Sequence, residues 1–96
     1  KTFPIFIIAN YHLSSQEGVH HFAMYKNRDI SYYCDSFGIP PILEAIEFLR
    51  SPLYYSSFQI QKLNTKICGQ ISIFILYKLS NNYNFFDIIL ELKNEL

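Results

Sequence analysis

The chain of 96 residues lacks most of the signals that mark common protein classes. Two cysteines are too few for a disulfide framework, and Cys34 sits among strand-forming rather than loop residues, so a reducing compartment is expected. There is no charge excess of either sign: eight Lys and Arg balance eight Asp and Glu, which gives no support for a nucleic-acid or anionic-membrane partner. Long apolar runs are absent too. The densest stretch, Ile71 to Leu79, is broken by Ser72 and Lys78 and falls well short of the roughly 20 residues that span a bilayer. No Cys/His cluster has zinc spacing and no glycine-rich loop is built to cradle phosphate, so neither metal nor cofactor is expected. No secretory signal is visible, and an abrupt start at Lys1 without an initiating Met suggests a fragment or a processed chain. Repeats, linkers and low-complexity segments are missing as well. What remains is one domain, residues 1–96, near the lower end of the size at which a single core holds itself together.

What is abundant is core-forming material: half of the residues are apolar, with eight tyrosines and nine phenylalanines. Phe3 to Ala9 reads as a buried strand, followed by a polar loop from Asn10 to Gly18. Val19–Tyr25 and Ile30–Asp35 read as a hairpin around the turn-favouring Lys26-Asn27-Arg28-Asp29. Pro40-Pro41 opens a short helix that buries Ile42, Leu43, Ile46 and Leu49 and stops at Ser51-Pro52. Ser57 to Leu63 alternates as a half-buried strand or extended segment. Ile67 to Leu79 is apolar on nearly all sides, as a helix at the centre of a domain would be, and Asn81-Asn82 ends it. A last helix begins near Asn84, with Asp87 completing a capping-box-like pair, and buries Phe85, Ile88, Ile89 and Leu92. The fold class is therefore α+β, a small mixed or antiparallel sheet packed on a central helix.

Cys68 falls at the N-terminal end of that helix, where about half a positive charge favours a thiolate. Gly69 beside it lets a backbone approach closely, and the Cys68 amide can point at a developing oxyanion. Taken alone, Cys68 is as well read as a small core residue. Upstream, His20 shares a strand face with Phe22 and Met24, whereas His21 shares the other with Ala23 and Tyr25, so one imidazole of the two faces any cleft. Asp35 ends the neighbouring strand, within reach of an imidazole to orient, and also suits an Asx-type bond inside Asp35-Ser36-Phe37-Gly38. Gln61 and Gln59 lie on one face of their segment, each with a side-chain amide to offer an oxyanion. Cys34 alternates away from Asp35 and reads as a buried strand residue, His12 as a surface residue, and the tyrosines as core residues or the lining of a peptide groove.

The order His, Asp, Gln, Cys, with GVHHFAM, YYCDSFG and QKLNTKICG as its carriers, resembles the adenovirus-type (adenain-like) cysteine proteases and their relatives in Maverick/Polinton elements and related DNA viruses, over roughly residues 5 to 80. The resemblance implies that fold and a cysteine endopeptidase in which His20 is the base, with His21 the second choice. It implies further that Asp35 orients the base, Cys68 is the nucleophile and Gln61 is the oxyanion donor. Gln61 is favoured over Gln59 by the seven-residue interval to Cys68, with Asn64 inside it. It also implies a polypeptide substrate, a capsid or other structural precursor cleaved near small residues. The setting would be a host nucleus or cytoplasm or a virion. The chain would be a monomer, shorter than those enzymes at both ends, with room for an activating peptide; Arg50 stands near where a linking cysteine would fall. Removal of a ubiquitin-like modifier, and a catalytically inactive mobile-element remnant serving as a binding module, are the competing expectations.

Overall fold

In a computed structural model, which describes residues 2–12, 19–50, 52–61 and 67–95, with the backbone alone at 12 and 19, the apolar alternation becomes a mixed four-stranded sheet between helices. The strands β1 (Ile5–His12), β2 (Val19–Lys26), β3 (Ser31–Cys34) and β4 (Leu53–Tyr55) lie in that order. The helices are α1 (Leu43–Leu49), α2 (Cys68–Ser80) and α3 (Phe85–Glu95).

β1 and β2 pair antiparallel over their whole length, from Ile5 opposite Lys26 to His12 opposite Val19. That ladder carries β1 past Ala9 into Asn10, Tyr11 and His12, where composition alone points to a loop, because backbone pairing outweighs the weak β-preference of one polar residue. The hairpin from β2 to β3 is closed by Asn27, whose Oδ1 accepts from the Asp29 and Ile30 amides at 2.9 and 2.8 Å. β3 and β4 run parallel, which requires a crossover, and α1 supplies it.

Because side chains alternate along a strand, each sheet face collects its own set. Ile7, Ala9, Tyr11, Phe22, Met24 and Tyr33 meet Ala45 and Leu49 of α1 on one face. Ala23, Cys34, Tyr25 and Tyr32 meet α2 and α3 on the other, through Ile71, Ile75, Leu76, Leu79, Phe85, Ile88, Ile89 and Leu92. The sheet is thus covered on both faces rather than by one central helix. The Phe85 ring stacks on Tyr32 at 4.5 Å and 13°, which fixes how α3 docks.

The helices depart from expectation in instructive ways. α1 starts at Leu43, after an extended Ile42, so both prolines precede it; the α region is disfavoured before a proline, at Ile39 and Pro40. A helix of two turns rests on a narrow stripe, here Ala45 and Leu49, which leaves Ile42, Leu43 and Ile46 exposed instead of buried. α2 is apolar on nearly all sides but not buried on all of them: Ile73 and Tyr77 face outward. α3 buries Phe85, Ile88, Ile89 and Leu92, as its spacing predicts, with Asn84 Oδ1 accepting from the Phe86 and Asp87 amides at 2.9 and 3.3 Å. β4 goes unannounced in the sequence, and residues 56–61 follow it without joining the sheet. The stretches 13–18 and 62–66, which hold most of the expected Asn10–Gly18 loop and Asn64 with the interior of the Gln61-to-Cys68 interval, lie outside the described residues, as does Ser51. Among the described residues, no helix is long and apolar enough to cross a membrane.

Candidate functional site

Three side chains converge at the end of the sheet on the face that carries α1. β3 stops at Cys34, opposite Ala23, and the chain turns at once through Asp35-Ser36-Phe37-Gly38. The turn is closed by the Gly38 amide on the Asp35 carbonyl at 2.8 Å. Gly38 has φ +77°, and an added Cβ would lie 2.7 to 2.8 Å from the Ser57 oxygen and the Phe58 carbonyl, so glycine is required there on two counts.

The turn delivers Asp35, with no exposed surface, beneath β2. Its Oδ1 meets His20 Nε2 at 2.7 Å and accepts from the Phe37 amide at 2.8 Å. Its Oδ2 accepts from the Tyr11 hydroxyl. Asp35 therefore plays both roles read from the sequence, histidine partner and Asx-type turn former. Three donors around one buried carboxylate compensate the desolvation of its charge. Phe37 then stacks on the His20 ring at 4.3 Å and 12°.

On the other sheet face, α2 begins at Cys68 with no side-chain cap. The amides of its first turn have no intrahelical acceptor and mark the positive end of the helix. The Cys68 Sγ lies against the peptide that joins the two histidines: the His21 amide donates to it at 3.3 Å, and His21 Nδ1 stands 3.8 Å away. The imidazole in contact with the thiol is thus that of His21, where His20 was the first expectation. The reason is the period of two along β2, which sends His20 to the α1 face and His21 to the face on which α2 packs. Gly69 lies alongside this contact: a Cβ there would find His21 Nδ1 as its nearest neighbour at 3.9 Å, an ordinary van der Waals distance.

Gln61 is buried and tied to the turn that presents Asp35. Its backbone N–H donates to the Ser36 carbonyl at 3.0 Å, and its Oε1 accepts from the Ser36 hydroxyl. Gln59, the competing residue, is exposed and donates through Nε2 to the Gln61 carbonyl at 3.1 Å. The structure so brings together His20 with Asp35, joins Gln61 to them through Ser36, and sets Cys68 with His21 one peptide away.

Tyr11, Ser36 and Phe37 are the partners that sequence reasoning missed. Tyr11 was legible in part: it continues the alternation Ile7, Ala9, Tyr11, which ends an apolar face on a hydroxyl. Cys34 is a buried, free strand residue, as read, and its thiol is pushed up from an ordinary 9.0 to about 12 by burial first and by the Asp35 charge second. Among the described residues, no group of three or more His, Cys, Asp or Glu side chains is arranged to hold a metal ion. No protein-family model, curated protein or solved structure matches the chain.

Proposed function

We propose that the chain is a cysteine endopeptidase of the adenovirus type, with the adenain-like fold, that processes capsid or other structural precursors of a virus or a Maverick/Polinton-like element. The observation that carries this reading is the Cys68 thiol at the start of α2, resting on the peptide between His20 and His21, with His20 bonded to a fully buried Asp35. A helix-start thiol with one imidazole beside it, and a second imidazole paired to a carboxylate one residue away, supply the parts from which an activated sulfur nucleophile is made.

In the reaction, an imidazole takes the Cys68 proton: on the first assignment it is His20, held through Nε2 by Asp35, which must turn its other ring nitrogen toward the thiol past the peptide that joins the two histidines. The thiolate attacks the scissile carbonyl carbon, and the negative charge that gathers on oxygen is met by the Cys68 amide and the Gln61 side chain, a donor set in which each member is worth about 3 to 4 kcal/mol. Collapse expels the amine with the proton from the imidazolium and leaves a thioester. Water, deprotonated by the same imidazole, then releases the acid and restores the thiol. The site would work as a monomer in a reducing setting, a host nucleus or cytoplasm or a virion, with an activating peptide as a candidate partner.

One observation favours a second assignment within the same chemistry: His21 Nδ1, at 3.8 Å, is the imidazole nitrogen beside Sγ. The test separates the two and needs no substrate. Iodoacetamide labelling is followed as a function of pH, with the modified cysteine located by peptide mass mapping, in wild type, Cys34→Ala, Cys68→Ala, His20→Ala and His21→Ala. The expected result is selective labelling of Cys68 below pH 7, slowed about tenfold or more in His20→Ala. Slowing in His21→Ala alone moves the base to His21. Labelling of Cys68 that ignores both histidines removes the protease reading and leaves an inactive remnant.

A further inference from the structure

We propose that Tyr11 is a positioning residue for the His20–Asp35 pair, locking the carboxylate so that one of its oxygens stays committed to His20. The inference rests on the cysteine-protease reading for its purpose, but its geometry stands on its own. Tyr11 lies directly opposite His20 in the β1–β2 ladder, and its ring sits 5.3 Å from both His20 and Phe22. From there its hydroxyl reaches across to Asp35 Oδ2, while Oδ1 takes His20 Nε2 and the Phe37 amide.

A carboxylate held at one oxygen swings about its Cβ–Cγ bond; held at both, it does not. Phe37 clamps the imidazole from its stacked side, so ring and carboxylate are each fixed by an aromatic neighbour. The Tyr11 hydroxyl is suited to be a permanent donor, because burial, followed by its bond to Asp35, pushes its ionisation upward. The other titratable groups that sense this carboxylate are Tyr33 and Cys34 of β3, both pushed up by burial and then by Asp35, so neither supplies a competing charge near neutrality.

Two readouts test the role in the full chain. The first is the acid-side midpoint of Cys68 alkylation, which in Tyr11→Phe should move up by about one pH unit, because one hydrogen bond to a charged group is lost from a carboxylate shut off from water. The second is the NMR signal of the His20 Nε2 proton, which should broaden or vanish in Tyr11→Phe as the bond to Asp35 loosens. A profile that superimposes on wild type together with an unchanged Nε2 proton overturns the proposal. If Tyr11→Phe does not fold, 3-fluorotyrosine incorporated at position 11 keeps the shape and strengthens the donor; the midpoint should then move down, and an unmoved midpoint is equally fatal. If wild-type Cys68 shows no histidine-dependent labelling, the protease reading fails, and the Nε2 proton alone still decides whether Tyr11 holds the pair.

Discussion

Gly38 carries the heaviest steric constraint of any residue around the site. Its positive φ and the backbone of Ser57 and Phe58 pressed against its α-carbon mean that Gly38→Ala meets strain and overlap together. The expected cost is about 2 kcal/mol or more, read as a lowered urea midpoint at unchanged slope. The Asp35 turn would shift with it, so, on the proposed function, any His20-dependent labelling of Cys68 should weaken even in the folded fraction. Gly69, by contrast, has room for a Cβ beside His21 and no positive φ, so neither sterics nor backbone conformation demands glycine there. At this scale the sequence was legible where a residue's role follows from its type and its neighbours. Asp35 and Cys34 were such cases. It was not legible for the two histidines, because alternation says that they face opposite ways but not which face α2 will cover. Only packing decides that, and packing put α2 against Ala23 and His21.

Elements show the same division between local signal and tertiary choice. α3 was legible because its apolar positions fall on one stripe and Asn84 caps it, whereas α2, apolar on nearly all sides, carries little such phase information. The structure supplies the phase: Ile75 is 1 % exposed and Ile73 is 59 % exposed. Ile75→Ala should therefore cost about 2 to 5 kcal/mol by the loss of buried methyl groups and the cavity left behind, while Ile73→Ala should stay within about 0.5 kcal/mol. Urea denaturation of the pair tests the phase directly, and equal losses would mean that α2 is rotated from the placement described. β4 could not be read because three residues are too few to show alternation, and its parallel pairing with β3 depends on the crossover through α1. α1 itself was misread for its burial, since apolar residues at helical spacing promise a face but do not say how much sheet is there to cover it.

The whole molecule should be distinctly weak in alkali. Cys34, with its thiol raised to about 12, keeps its proton in the folded chain after the unfolded chain has lost it. Tyr11, Tyr32 and Tyr33 are pushed the same way, in each case by burial first. The unfolded state therefore binds fewer protons than the native state above about pH 9, so stability is fully present below that pH and declines as pH rises toward 12. The loss from Cys34 alone is on the order of a few kcal/mol, and urea midpoints measured from pH 8 to 11 should fall steadily, less steeply in Cys34→Ala. A flat profile would mean that these groups are wetter than described. The layout of the site has a further consequence, in the order of assembly. Its bonds join positions 15, 24, 25 and 47 residues apart, from Tyr11 on the first strand to Cys68 at the head of the second helix. Loop-closure entropy must be met before any of those contacts forms, so no short contiguous stretch of chain holds the cluster together. The helices rest on local contacts, but Cys68 meets His21 only when α2 has docked on β2, so that contact reports tertiary assembly and not local structure.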